Sequence, residues 1–187
     1  MLAERSEVLV GGRVVNALTD DPFATATQSI VDFLMEYGSP GHGEARLLTS
    51  NNLCVPKAAF HRLGGFDEAF QGAGGEDREF CWRWAHEAGR SVYAPQAVVR
   101  HAHDLTLIGF IRQHFCYGRG AALFRQRAVE HGYGRLPLES ASFYWNLLKS
   151  PQRAPGVEVR VQQSVLLLLA QIANAAGYCQ GLVRQPQ

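Results

Sequence analysis

The sequence lacks an excess of charge of one sign, a long hydrophobic run and the cysteine spacing of a zinc site. Its 187 residues include 18 basic and 17 acidic side chains, for a formal net charge of +1. No global basic field therefore suggests a nucleic-acid partner, and an anionic ligand must be held locally. With 47% hydrophobic residues, the chain is long enough for one globular domain with an appendage and too short for two full domains.

The spacing of the cysteines excludes a zinc site of the CxxC type. Four are present, and they are widely separated, at Cys54, Cys81, Cys116 and Cys179. No CxxC pair and no zinc-knuckle spacing occurs among them. Free thiols in a reducing cytosol are the simplest interpretation, and we predict a cytoplasmic location.

Only residues 161–183 could be considered a membrane segment, and glutamine and asparagine side chains interrupt them. The uninterrupted apolar run, Val165 to Ala170, is far shorter than the roughly 20 residues that cross a bilayer. The pattern favours a helix that packs on the domain or lies at the inner membrane surface. We place a boundary at the GYGRLP segment, which divides a domain at 1–131 from a helical tail at 132–187.

Periodicity and turn residues predict an α/β fold with a mixed sheet flanked by helices. Residues 38–45, GSPGHGEA, have the composition of a loop. Period-two or β-branched patterns predict strands at 7–15, 46–56 and 91–103. Helical spacing predicts helices at 24–37, 76–88 and 106–132 and in the tail.

The stretch FQGAGGEDREFCWRW, residues 70–84, places two adjacent acids after a glycine run. Acids in a first helical turn are favoured by the helix dipole, so Glu76 and Asp77 can be simple helix starters. The glycine run costs conformational entropy on folding, and a simple helix cap does not need it. Glycines do, however, let the backbone approach a bulky ligand closely. A carboxylate at this junction can project into a cleft and reach a substrate hydroxyl as a general base.

Ordered motifs identify a family resemblance. The segment GGFDEAFQGAGGEDREFCWR resembles the acceptor-side motif of family 2 glycosyltransferases of the GT-A fold, a Rossmann-like fold. The similarity extends from GGRVVNAL through TSNNLCVP to APQAVVRHAHDLTLIGFIRQHFCYGRG, over residues 7 to about 127. It implies a transferase that moves a sugar from a nucleotide-sugar donor to a saccharide or lipid-linked acceptor, with inversion.

The resemblance also implies roles for individual residues. Asp77 corresponds to the general base and Glu76 to its neighbour that binds acceptor or orients the loop. A divalent metal, Mn²⁺ or Mg²⁺, would bridge the donor diphosphate, with His101 and then His103 as its candidate ligands; the alternative is a pair of exposed strand-end histidines. The remaining predicted substrate-binding residues are Asn51, Asn52, Gly74, Gly75, Trp82 and Arg83.

Two of those assignments have a structural alternative. Asn51 and Asn52 can bond sugar hydroxyls or serve as turn residues. Trp82 can stack on a sugar or contribute core surface.

The sequence departs from the family in one respect. A complete domain of this kind begins with a nucleotide-binding half that contains an Asp-x-Asp motif, and this chain has no Asp-x-Asp. We therefore expect an incomplete GT-A-like domain, with a separate chain or a longer gene supplying the first half. The alternative function is a non-catalytic remnant or interaction module that cannot bind donor alone.

Overall fold

A computed structural model of the chain describes residues 7–38, 47–70, 72, 74–153 and 156–183. The predicted loop at 38–45 therefore falls, apart from Gly38, outside the described residues. Three strands and six α-helices are formed in the described ranges. They are β1 (Val8–Asn16), α1 (Pro22–Gly38), β2 (Leu53–Cys54), α2 (Lys57–Arg62), α3 (Glu76–Glu87), β3 (Arg90–His101), α4 (Leu107–Glu130), α5 (Ala141–Lys149) and α6 (Val157–Val183).

The sheet is mixed, with β1 in the centre and the order β2-β1-β3. β1 runs parallel to β3 from the Val8–Arg90 pair to the Asn16–His101 pair, and it pairs antiparallel with β2 at only two positions. Helices flank the sheet, and a long helix ends the described chain. The predicted α/β class and mixed sheet are thus confirmed.

The predicted second strand, 46–56, is wrong in its extent. Ser50–Asn52 form a 3₁₀ turn, and only Leu53–Cys54 pair as a strand. The cause is a bulge where Gly12 and Arg13 face Ala94 and Val98. The Asn52 amide nitrogen donates to Arg13 O at 3.0 Å and Ala97 O at 2.8 Å, so this polar segment braces the bulge and does not extend the sheet.

Two apolar clusters hold the elements together. One joins β1 to α2 and α3 through Leu9, Ala59, Phe80 and Trp84, which are 0% exposed. The second joins α1, α4, α5 and α6, and its members include Ile30, Phe110, Leu147 and Leu167. Burial at these helical spacings, and not intrinsic propensity, accounts for most of the stability of such helices.

The long helices α4 and α6 cross at glycines. A Cβ atom on Gly118 would lie 1.9 Å from Asn174 O, and one on Gly177 would lie 1.9 Å from Phe115 O. Only a residue without a side chain permits this approach of two backbones. The tail helix α6 therefore lies against the domain helix α4, while a domain boundary near residue 132 stays a prediction.

By length and composition alone, α6 is the one described helix that is long and apolar enough to cross a membrane. The core helix of a water-soluble protein can share this property. Its face toward α4 and α1 is buried within the domain.

Candidate active site

The glycine turn before α3 fixes where the acid pair begins. Gly74 and Gly75 have φ angles of 152° and 106°, which side-chain-bearing residues rarely adopt. The turn presses on α4, since a Cβ on Gly120 would lie 1.9 Å from Gly74 O and one on Gly74 would lie 2.5 Å from the Tyr117 ring. The predicted need for glycine here thus has a cause within the protein, the close contact with α4.

Asp77 lies in the first turn of α3, and its hydrogen-bond donors within the described part of the chain are backbone N–H groups. Its Oδ1 accepts from its neighbour Arg78 N at 2.7 Å, and its Oδ2 accepts from Ser50 N at 3.3 Å. Burial, and then the charge of Glu76, raise the pKa of Asp77 above its ordinary value, and the backbone hydrogen bonds offset part of this rise. A carboxylate with a raised pKa is a stronger base, which suits proton abstraction.

Glu76 accepts a hydrogen bond within the turn, and Tyr117 of α4 packs against Gly74 and is influenced by the charges of both acids. Glu76 Oε2 accepts from Gly74 N at 3.1 Å. Burial, followed by the charges of Asp77 and Glu76, raises the pKa of Tyr117 to about 12, and Gln113 donates to the Tyr117 hydroxyl at 2.6 Å. The phenol of Tyr117 therefore stays protonated at neutral pH.

The predicted metal ligands lie together at the end of β3. The rings of His101 and His103 meet edge to face with centroids 4.2 Å apart. Burial and the neighbouring His101 lower the pKa of His103. Both conditions favour neutral imidazole, the form that ligates metals.

A third histidine is buried on α4 near His103. His114 on α4 is 2% exposed, and burial followed by His103 lowers its pKa to about 4. Its ring lies 5.5 Å from that of Tyr117. His114 thus lies close enough to His103 for their charges to interact, while its Nε2 has no hydrogen-bond partner among the described residues.

A complete metal site is not formed by the part of the chain that the structure describes. No group of three or more His, Cys, Asp or Glu side chains there is arranged to hold a metal ion. His101 and His103 could supply two nitrogen ligands, and the others would have to come from donor phosphates or another segment. Two imidazoles fit Mn²⁺ better than Mg²⁺, which prefers oxygen.

The two asparagines have different surroundings. Asn51 is exposed in the 3₁₀ turn. Both amide hydrogens of Asn52 are used at the bulge between β1 and β3, so only its carbonyl oxygen is left for a ligand. Because Ser50 donates to Asp77, this turn connects the bulge to the acid pair.

Arg83 and Trp82 lie farther along α3. Arg83 is 7% exposed, and its guanidinium bonds both oxygens of Glu79 and the carbonyls of Leu63 and Gly65. It thereby holds the turn before Phe66. Trp82 packs edge-on against Phe124 of α4 at 5.9 Å. Contacts of either with substrate stay predictions.

The structure also adds residues that the motifs did not identify. Ser50, His114, Tyr117 and Gly120 contact or electrostatically influence the predicted site. Their only sequence signal is the three-residue spacing of His114, Tyr117 and Gly120, which places them on one face of α4. That spacing is also typical of an ordinary buried helix face.

Comparison with known proteins gives one family match that covers this site. Residues 43–107 match the family model of the N-terminal domain of galactosyltransferase, over about a third of the 187-residue chain. The match includes both acids, the glycine turn and both strand-end histidines. No curated protein matches the chain. The family match supports a glycosyltransferase domain, and it does not distinguish family 2 or the GT-A fold.

Proposed function

We propose that this chain is the acceptor-side portion of an inverting, nucleotide-sugar-dependent glycosyltransferase of family 2 and the GT-A fold. The observation that carries the proposal is Asp77: a partly buried carboxylate with a raised pKa on a glycine turn. This residue lies within the segment that matches a galactosyltransferase domain. Saccharides and lipid-linked saccharides are the proposed acceptors.

In the proposed reaction, Asp77 removes the proton from an acceptor hydroxyl. The hydroxyl oxygen then attacks the anomeric carbon of the donor, and the bond from that carbon to the diphosphate oxygen breaks with its electron pair on the leaving group. Attack opposite the leaving group inverts the configuration. The single hydrogen bond that Oδ2 of Asp77 accepts from Ser50 N leaves a lone pair on that oxygen for the proton.

Negative charge develops on the leaving diphosphate, and a positively charged group is needed to stabilise it. The acid pair cannot provide that charge. When bound, a divalent metal would neutralise charge that develops on the diphosphate, and His101 and His103 are the residues proposed to hold it. Asn51 and the carbonyl of Asn52 are proposed to bond donor-sugar hydroxyls, and Gly74 and Gly75 to let the acceptor approach the backbone.

An additional nucleotide-binding half is proposed as the partner of this chain. Within the described residues the sheet ends at β3, and Val98 and Val99 near that end are 53% and 36% exposed. A sheet edge with exposed apolar side chains is suited to pairing with further strands. A separate chain or a preceding segment would supply them.

Donor binding and reconstitution test the proposal. Calorimetry with Mn²⁺ and a nucleotide-sugar measures binding to the chain alone and to the chain mixed with a complementary nucleotide-binding half. We expect turnover only with both halves, and its loss in Asp77→Asn. Asp20→Asn, an exposed aspartate in the loop before α1, is the matched control and should keep full rate.

Two outcomes would contradict the assignment. Full turnover by reconstituted Asp77→Asn would show that Asp77 is not the base. An absence of donor binding and turnover in every reconstitution would favour the non-catalytic alternative.

A further inference from the structure

Helix α6 has two apolar faces, and only one of them is covered. The inner face packs within the domain and consists of Gln163, Leu166, Leu167, Ala170, Ala173 and Gly177, all buried. The other face, called here the outer seam, is exposed at every position: Val161, Val165, Leu168, Ile172, Ala175, Cys179 and Leu182. Val161 and Ile172 retain 57% and 58% of their surface in contact with solvent.

The spacing of the outer seam is that of a coiled coil. Its members are separated alternately by four and three residues along the whole helix. A repeat that averages 3.5 residues keeps one stripe facing a partner helix. Assigning the a positions to Val165, Ile172 and Cys179 places Val161, Leu168, Ala175 and Leu182 at d. Two of the three a residues are β-branched and two of the four d residues are leucine, the combination that favours two parallel strands.

The charges of α6 disfavour an anionic lipid surface as the occupant. Residues 161–183 contain no Lys, Arg, Asp or Glu, and the charged residues of the helix are Glu158 and Arg160 near its start. Helices that lie on membranes commonly carry Lys and Arg on their polar face. The positions that flank the seam are uncharged throughout: Gln162, Ser164 and Gln171 in its first half, and Leu169, Ala176 and Tyr178 among the others. A second copy would present the same uncharged flanks, so no like charges would oppose pairing.

We propose that the outer seam pairs in parallel and in register with the outer seam of a second copy of this chain. Pairing two such seams would bury on the order of 1,000 Å² in total, near the lower limit for a specific interface. A two-fold axis along the helix pair brings each seam residue against its own copy. The inference does not depend on the proposed enzymatic activity.

The pairing would also support the acid pair indirectly. α6 contacts α4 at Gly118, and α4 contacts the glycine turn at Gly120. A partner that orders α6 therefore adds rigidity to the helix on which Gly74 rests. The active sites of the two copies would remain separate, since the seam faces away from α4.

Two measurements on the full chain test the pairing. Sedimentation across the micromolar range should give twice the 20.6 kDa of one chain. Ile172→Glu, which places two unpaired carboxylates in the seam, should weaken the dimer by at least about a hundredfold. Val159→Glu is the matched control, because Val159 is an exposed apolar residue of the same helix outside the seam, and it should leave the dimer intact.

Cysteine cross-linking tests the register. In-register parallel pairing brings two Cys179 residues to the separation that a disulfide requires. With Cys54, the other exposed cysteine, changed to serine, copper-phenanthroline and oxygen should oxidise the two thiols to one disulfide. A covalent dimer should form, and it should be absent in Cys179→Ala and strongly reduced in Ile172→Glu.

Three results would overturn the proposal. One is a monomer throughout the micromolar range. Another is a dimer that Ile172→Glu leaves unchanged or that Cys179 does not cross-link. The third is a monomer that floats with phosphatidylcholine–phosphatidylglycerol vesicles through the seam, which would make a membrane the occupant.

Discussion

Two acidic residues, two positions apart on α3, are treated in opposite ways by the fold. Glu79 is 3% exposed, and both its oxygens bond the Arg83 guanidinium, at 2.8 and 2.7 Å. Among the described residues, Asp77 accepts from backbone N–H groups, and burial followed by the charge of Glu76 raises its pKa. The carboxylate of Glu79 is paired within the structure, whereas that of Asp77 is the candidate for proton transfer. Local pairing, more than residue type, separates structural charge from candidate catalytic charge.

Asp77→Asn should have the largest effect of the substitutions considered. We expect reconstituted transferase activity to fall about 10²–10⁴-fold, because a general base is lost. Steady-state kinetics of the reconstituted enzyme measures the loss.

Asp77→Asn should lose activity but should not lose thermal stability. Because the folded-state pKa of Asp77 is raised, folding favours the protonated carboxyl, and stability declines as pH rises from its ordinary pKa through the raised value. Asparagine removes this penalty, so the thermal midpoint at pH 7 should be equal or higher. A lower midpoint would show that the charge stabilises the fold.

Arg83→Met should destabilise the protein, because it breaks the buried Glu79–Arg83 pair. Removing the guanidinium leaves Glu79 buried without its partner, so the free energy of unfolding should fall by about 3–5 kcal/mol. Urea denaturation measures this change. Adding Glu79→Gln should restore much of it, and Arg62→Met, which breaks an exposed pair with Glu7, should change stability little. Equal losses in the two arginine variants would contradict the role of burial.

Gly120→Ala, a substitution on α4, should push the glycine turn at Gly74 away from that helix. The new Cβ would lie 1.9 Å from Gly74 O, which we expect to cost about 1–3 kcal/mol of stability. Displacement of Asp77 should also lower the rate by about tenfold or more. Gly109→Ala is the matched control on α4, because its Cβ meets no atom closer than 3.4 Å, and it should be neutral or stabilising. Similar losses in both would refute the specific contact.

Glu76→Gln should give the smallest effect and the finest test of the electrostatics. The charge of Glu76 raises the pKa of Asp77, so its removal should shift the acidic limb of the pH–rate profile to lower pH. Glutamine keeps an oxygen that can accept from Gly74. The rate at neutral pH should change little, and an unchanged or upward shift of the limb would contradict the coupling.

Much of the helical architecture follows from local pattern. The predicted first strand and the helices at 24–37, 76–88 and 106–132 correspond to β1, α1, α3 and α4. The second predicted strand failed because apolar flanks predict a strand even where the polar centre is used elsewhere. Asn52 braces a bulge formed by β1 and β3, which are distant in sequence, and no local pattern encodes that.

Local sequence patterns are enough to predict the α/β class, the start of α3 at the acid pair and the resemblance to a glycosyltransferase. These depend on periodicity, turn chemistry and motif order, which are local properties of the chain. The raised pKa of Asp77, the pairing of Glu79 with Arg83 and the packing of Tyr117 against Gly74 depend on the tertiary structure. Burial and charge proximity arise only when α3, α4 and the sheet pack together, so they separate the paired acid from the candidate base.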